Sequence, residues 1–481
     1  MKKSKLYTSV FVLLSLQLFC QGREEYQFFP PFAKVDLRPF LVVTNSVEAL
    51  ASESNDDYNL NTYGLVSPST LARWTTDWSA NKPQVIPGNL VVLQLQNGVA
   101  SGEYIVSNGT NQFVYLVSNP DSIFSQKRND NVLAIDGIVN SGKNFDTILS
   151  AFGIDPKTDF VLFAADTSTE TNLASATKAY YNFRYWGFPK EKLGVLNGSV
   201  AYYGKTGQNT FFTVSSPSST SSKRTDSVRS LFTDNTILQI NLGDIVHLLR
   251  NGQSQVTDPS PLPTDGSFVL DSRPASAFNG TINSTPTSNH QLCTVKVSGS
   301  CVANHEGRIR GAKNIPVATL FDPTSLSFHS KATLTSLLNA QNYSQGNVVI
   351  NYHRTGISGA IAQFVTQNII GKPSRLYEAG WLQWGALGYR VPTTGTSPSA
   401  LTQPASLWRT DLSILTDQIT TNADDNVPNY SFTSTQQFTR STNAIREEDK
   451  TYLRTSGASA TPSGGSGGGA PTGGGGNACG G

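Results

Sequence analysis

The sequence predicts an α/β chain made of two units, each a parallel sheet with helices on both faces, followed by a disordered Gly-rich tail. Three observations lead there. Phe160-Val-Leu-Phe-Ala-Ala165 and Val348-Val-Ile-Asn-Tyr352 are near-continuous apolar runs. Strands of that kind are buried on both faces, as in parallel sheets. Each run is followed by a stretch with helical periodicity, and this strand–helix rhythm occurs twice. A Ser/Thr/Pro stretch, Val214 to Thr225, separates the two rounds and reads as a linker.

The chain has 481 residues, enough for two or three domains with sizeable cores. Formal net charge is +2 and only 15% of residues are charged, with no Lys/Arg stripe, so no nucleic-acid partner is expected. At the start, Lys2, Lys3 and Lys5 precede the apolar run Val10 to Phe19. A basic region followed by a short apolar one predicts a secretory signal over 1–22 and an exported protein.

The elements follow in order. The domain over 23–205 opens with a Pro-rich segment. Ser and Thr residues before an apolar i, i+3 pattern predict a capped helix within Leu65 to Trp74. Asn89 to Gln96 reads as a buried strand, and Phe113 to Val117 as an edge strand or hairpin. Phe145 onward reads as a helix, a Gly-Ile-Asp-Pro turn and the strand ending at Ala165. A helix is predicted over Leu173 to Trp186, with Ala176, Tyr180 and Phe183 on one face. Tyr180, Tyr181 and Trp186 are candidates for core or domain interface. After a linker over 206–234, the domain over 235–392 repeats the pattern. Its helices are predicted at Leu238–Leu249, Leu334–Ala340 and Gly359–Ile369, and its strands at Phe268–Leu270, Val348–Tyr352 and Pro373–Tyr377. Residues 393–455 form a Thr/Ser/Asn-rich extension, with one helical patch, Ser406 to Ile419, placed to dock on the domain. From 456 to 481 Gly, Ser and Pro dominate, leaving too little apolar surface to offset ordering entropy.

Chemistry concentrates where the second apolar strand ends. His353-Arg-Thr-Gly-Ile-Ser358 is a short polar loop running into a helix start. Such a turn offers unpaired backbone N–H groups and a partial positive charge. His353, Arg354, Thr355, Gly356, Ile357 and Ser358 are therefore the candidate anion-binding loop. The strand ending in Asp271-Ser-Arg273, the turn Gly307-Arg-Ile-Arg-Gly-Ala-Lys-Asn-Ile-Pro316 and the element Leu376-Tyr-Glu-Ala-Gly-Trp-Leu-Gln-Trp384 accompany it.

These four segments, in this order, resemble a rhodanese (sulfurtransferase) domain. The first half resembles the same family more faintly, through Phe145 to Asp166, Tyr185-Trp-Gly187 and Val195-Leu-Asn-Gly198, so the resemblance implies two units in tandem. It also implies that Asp271 and Arg273 support the loop through an ion pair, that Trp381 and Trp384 pack rather than bind, and that the loop head is a sulfur-accepting cysteine. Here His353 stands in that position, and the first-half loop, beginning near Asp166-Thr-Ser-Thr169, has no cysteine either. Imidazole cannot form a persulfide, so no catalytic residue is assigned, and the expected function is non-catalytic binding of a small oxyanion (thiosulfate, sulfate or phosphate) or of a protein partner. A thiosulfate sulfurtransferase of the cell envelope using an unrecognised nucleophile is the alternative. No cofactor and no metal are expected.

Four cysteines complete the inventory. Cys20, at the end of the first apolar run, resembles a lipid-accepting cysteine with a signal over 1–19, although Phe19 precedes it where a small residue is usual. Lipidation would tether the protein to a membrane. A cut after Gly22 would instead release a secreted or periplasmic form, and an uncleaved anchor is the third outcome. Cys293 and Cys301 lie in an insertion, 281–304, and are candidates for a disulfide. Cys479, in the tail, is the odd thiol.

Overall fold

The computed structural model describes residues 38–455. Residues 57, 59, 131–133, 206–211, 218–225, 252–265, 280–295, 298–299, 302–306, 310, 386–418, 421–430 and 433–442 lie outside the description, as do 1–37 and 456–481. The signal segment with Cys20, residues 406–418 of the predicted helical patch, Cys293, Cys479 and the tail all fall there, while Ile419, the last residue of that patch, lies in a short strand, Ile419–Thr420.

The first half opens with β1 (Gly64–Val66) and α1 (Pro68–Thr76), whose N-terminus Ser67 caps by accepting from the Thr70 N–H. Then come β2 (Leu90–Gln96), β3 (Gln112–Ser118), the antiparallel pair β4 (Gln126–Asn129) and β5 (Ala134–Ile138), and α2 (Gly142–Phe152). The half continues with β6 (Phe160–Ala165), α3 (Glu170–Tyr185) and β7 (Leu193–Ser199). Five strands form one parallel sheet in the order β1-β7-β6-β2-β3. The edge-strand expectation for Phe113–Val117 fits, since β3 lies at the edge. The hairpin expectation does not, because β3 runs parallel to β2. Helix α3 starts three residues before its predicted start because Thr169 caps it, accepting from the Asn172 N–H.

The second half contains α4 (Leu242–Asn251), β8 (Ser267–Asp271), β9 (Lys313–Asn314), α5 (Lys331–Ala340), β10 (Val348–Tyr352), α6 (Gly356–Phe364), β11 (Ser374–Leu376) and α7 (Gly380–Trp384). Its sheet is parallel throughout, in the order β9-β8-β10-β11. The chain is thus α/β, with two parallel sheets flanked by helices. Helix α4 begins at Leu242 rather than Leu238. Gln239 instead bridges in parallel to Leu376, and the Ile240 N–H donates to the Leu376 carbonyl at 3.0 Å, extending the sheet. The helix is then opened by a reciprocal cap: Asp244 N–H to Asn241 Oδ1 and Asn241 N–H to Asp244 Oδ2. Helix α6 starts three residues before its predicted start, and residues 365–369 continue it as a wider π turn.

One apolar core runs through both halves, joining Val91, Leu93 and Phe163 of the first sheet to Ile350, Ile361 and Phe364 of the second half. Alternate residues of the first sheet face the other way, so Leu90, Val92 and Leu162 pack with Trp74 and Trp78 in a second core. At the junction, the Tyr180 and Phe364 rings meet edge to face at 5.0 Å, and the Tyr180 hydroxyl donates to Asn368 Oδ1 at 2.9 Å.

Several segments cross between halves. The Ser52 N–H donates to the Gln367 carbonyl and the Ser54 N–H to the Ile369 carbonyl, so the start of the chain is stitched to the second half. The described parts of the linker are packed rather than free: Thr233 and Asp234 pair in parallel with Val43 and Thr44, and Phe212–Thr213 pairs with Tyr104–Ile105. Within the insertion, Lys296 lies opposite Cys301 in a short antiparallel pair. A last helix, α8 (Ala444–Arg454), was not anticipated in the C-terminal extension.

Candidate functional site

The strand β10 is buried at every residue and lies between β8 and β11, so its C-terminal end opens at the edge where parallel sheets place their sites. The chain leaves it at His353 and enters α6 at Gly356. Thr355 closes the turn as the helix cap, its hydroxyl accepting from the Ser358 N–H at 3.3 Å. The preceding N–H groups at the helix start have no intrahelical acceptor.

Two glycines make this turn possible. A Cβ on Gly356 would lie 2.8 Å from the Glu378 carbonyl oxygen, and one on Gly380, at φ +51°, would lie 2.4 Å from the His353 carbonyl oxygen. The close approach lets α7 pin the loop: the Trp381 N–H donates to the His353 carbonyl at 2.9 Å and the Leu382 N–H to the Arg354 carbonyl at 3.0 Å.

Beside the loop, Asp271 and Arg273 form a buried ion pair, with Arg273 Nη2 2.7 Å from Asp271 Oδ2 and Arg273 Nε 3.1 Å from Oδ1. Arg273 also donates to the Gly307 carbonyl, and its guanidinium lies 3.8 Å from the centre of the Trp381 ring. The Tyr352 hydroxyl accepts from the Ile309 N–H. Asp-x-Arg, the Gly307–Pro316 turn and the Trp381 element thus converge on one point. Trp381 and Trp384 are fully buried packing groups.

His353 is 9% exposed, and neither ring nitrogen has a hydrogen-bond partner among the described residues. Burial pushes its pKa down to about 3, with the positive charges of Arg273 and Arg354 adding to the effect and Asp271 opposing it. The imidazole is therefore neutral at physiological pH. Arg354 Nη2 is likewise without a partner among the described residues. An uncharged ring, a guanidinium with spare donors and the N–H groups of a helix start together suit an oxyanion. They supply no thiolate.

The first half covers this loop. Gly137 of β5 comes within 3.6 Å of Ile357, measured from its Cβ position. The Val139 N–H donates to Glu378 Oε1 at 3.0 Å, and Gln383 Nε2 donates to Asp130 Oδ2 at 2.6 Å. Glu378, fully buried beside Gly356, also takes a bond from the Lys178 ammonium of α3 and one from Gln239 Nε2 at 2.5 Å. Burial pushes the Lys178 pKa down, against the pull of Glu378. Neither Lys178, Glu378 nor Gln239 was singled out from the sequence. Glu378 lay within a recognised motif, and Lys178 was a charge inside a helix with Ala176, Tyr180 and Phe183 on its predicted apolar face.

The first-half counterpart is Asp166 to Thr169, between β6 and α3. Asp166 is fully buried, and its carboxylate accepts from Gln94 Nε2 at 2.6 Å, Ser101 Oγ at 2.7 Å and the Ser101 N–H at 2.8 Å. The pairing of Cys293 with Cys301 and the modification of Cys20 rest on side chains outside the described residues.

No protein-family model matches the chain, and no curated protein matches it. Solved structures do. The Tum1 protein from Saccharomyces cerevisiae matches with a TM-score of 0.48 and 16% identity, covering 68% of this chain and 95% of that one. SseA from Escherichia coli, a 3-mercaptopyruvate sulfotransferase described with a "Rhodanese" fold, matches with a TM-score of 0.41 and 14% identity, over 66% of this chain and 99% of that one. The 3-mercaptopyruvate sulfurtransferase from Leishmania major matches with a TM-score of 0.43 and 13% identity, over 68% of this chain and 75% of that one.

Proposed function

We propose that this chain is an exported, rhodanese-like binding protein whose His353 loop holds a small oxyanion (thiosulfate, sulfate or phosphate), or a protein partner presenting one, without transferring sulfur. The observation that carries the proposal is the loop head: a buried, neutral His353 with both ring nitrogens unpartnered, set at the start of α6 where a sulfur nucleophile would have to stand. The basic and apolar start of the sequence supports export, and Cys20 supports a membrane tether.

Calorimetric titration with sulfate, thiosulfate and phosphate tests the binding, and thiosulfate-dependent thiocyanate formation from cyanide tests the chemistry. Saturable binding with background thiocyanate is expected. Thiocyanate clearly above background would instead establish a sulfurtransferase. His353→Cys adds a thiol where the helix start stabilises a thiolate, and is expected to gain the mass of one sulfur from thiosulfate while the parent gains none. A parent that itself gains sulfur overturns the proposal. The mass of the mature N-terminus tests signal cleavage and lipidation: an intact Met1 in protein recovered from cells counts against both, and cell fractionation then decides export.

A further inference from the structure

The helix α8 is an unusual element to find wedged between two halves, because two of the four residues it buries are charged, Arg446 and Asp449. Asp449, fully buried, takes two bonds from Arg128, each at 2.8 Å, and one from the Tyr185 hydroxyl at 2.8 Å. Arg446 donates to the Gln239 carbonyl at 3.0 Å and lies 3.4 Å from Asp244. Arg454 reaches Asp234 at 2.6 Å. The apolar contribution is Ile445 and Leu453, which are buried, and the Tyr452 ring, which lies against Gly142 and Trp186.

These contacts lead back to the site along two routes. Arg446 holds Gln239 through its carbonyl, and the side chain of the same Gln239 donates to Glu378. Asp449 holds Arg128, which donates to the Val139 carbonyl, and the N–H of the same Val139 donates to Glu378. Glu378 is the residue packed against Gly356, inside the anion loop at the start of α6. The C-terminal helix and the first-half hairpin thus set one buried carboxylate, which in turn abuts the loop.

The docking has the energetics of a reversible contact. Buried ion pairs give specific geometry but little net stability, because desolvation offsets most of their attraction. An eleven-residue helix does not hold its shape alone, so undocking and unwinding occur together. Residues 386–442 keep the segment tethered after release, which makes re-docking intramolecular.

We propose that α8 is a releasable clasp: the groove lined by Arg128, Gly142, Trp186, Asp234 and Asp244 is loaded in cis by the chain's own C-terminal helix, and emptying it unlocks the His353 loop. The clasp regulates the site assigned above and so rests on that reading.

Hydrogen exchange and His353 carbethoxylation, both followed by peptide mass on the full-length chain, test it, with sulfate as the anion probe. In the unaltered chain the amides of 447–454 are expected to exchange by local opening, at least about tenfold faster than those of α3 and β10. Asp449→Lys is expected to free these amides and to raise His353 labelling about tenfold. Exchange of α8 only together with α3 and β10 overturns the clasp, and that measurement needs no variant to fold. Unchanged His353 labelling in a variant with freed α8 amides overturns it as well. Coupled labelling without sulfate binding in any form leaves the clasp standing and removes the anion-binding proposal instead.

Discussion

At corresponding points of the two halves a buried parallel strand hands over to a helix, and the residue at that point is treated in opposite ways. Asp166 in the first half has its carboxyl oxygens saturated by Gln94 and Ser101. His353 in the second brings no charge and leaves both nitrogens unpaired. Buried polar groups are ordinarily satisfied, and an orphan marks a site of strain or function. The first loop has been closed by its own side chain, whereas the second keeps its hydrogen-bonding capacity. One strand–loop–helix frame can therefore leave its head residue satisfied or unsatisfied, according to the side chain that stands there.

The sharpest way to break this comparison is to remove the carboxylate that ties the second loop to the first half. Glu378→Ala leaves Lys178, Gln239 and the Val139 N–H without their shared acceptor. Loss of one partner from a buried ion pair costs about 3–5 kcal/mol, and urea unfolding should show a loss of that size. Next comes Asp166→Ala, which strands the buried donors of Gln94 and Ser101, at a cost of about 2–3 kcal/mol by the same measurement. Thr355→Ala removes only a helix cap, so about 1 kcal/mol is expected.

His353→Leu should have the smallest effect near neutral pH, within about 1 kcal/mol of the parent, because it takes away no hydrogen bond. A loss comparable to that at Asp166 would show that the imidazole is partnered after all. The same variant carries a pH signature. The folded His353 has its pKa pushed down from 6.5 to about 3, so between those values the unfolded chain binds a proton that the folded chain does not. Stability contributed by this group is therefore present above pH 6.5 and lost as pH falls toward 3. Relative to His353→Leu, the parent should lose up to about 1.4 kcal/mol per pH unit across that window. Parallel stability–pH curves for the two proteins would contradict the buried neutral ring.

Much of the scaffold was legible because it depends on local apolar pattern. The runs Phe160–Ala165 and Val348–Tyr352 are strands as predicted, and the doubled rhythm gave two parallel sheets. Helix starts were less legible, since Thr169 and Thr355 act as caps four residues before the apolar periodicity becomes evident. The predicted anion-loop residues, Asp271 and Arg273 all lie at the end of one sheet, because short motifs keep their spacing. Long-range partners were not legible: the contact of Lys178 with Glu378 spans 200 residues, and no local pattern announces it. Helix α8 escaped for a different reason. A search for an apolar stripe does not find a helix whose buried face includes Arg446 and Asp449.

The stitching of the chain's start to its second half bears on how the molecule is made. The Ser54 hydroxyl donates to the Asn368 carbonyl, 314 residues further along. At ordinary rates of synthesis that partner emerges roughly 15–60 s after Ser54. Throughout that interval the segment around Ser52 and Ser54 lacks the carbonyls that complete it, and closing so long a loop is slow. The delay keeps part of the chain incompletely paired behind the ribosome for that time. Ser52–Ser54 and α8, whose partners lie far away in sequence, would then be among the last pieces to lock.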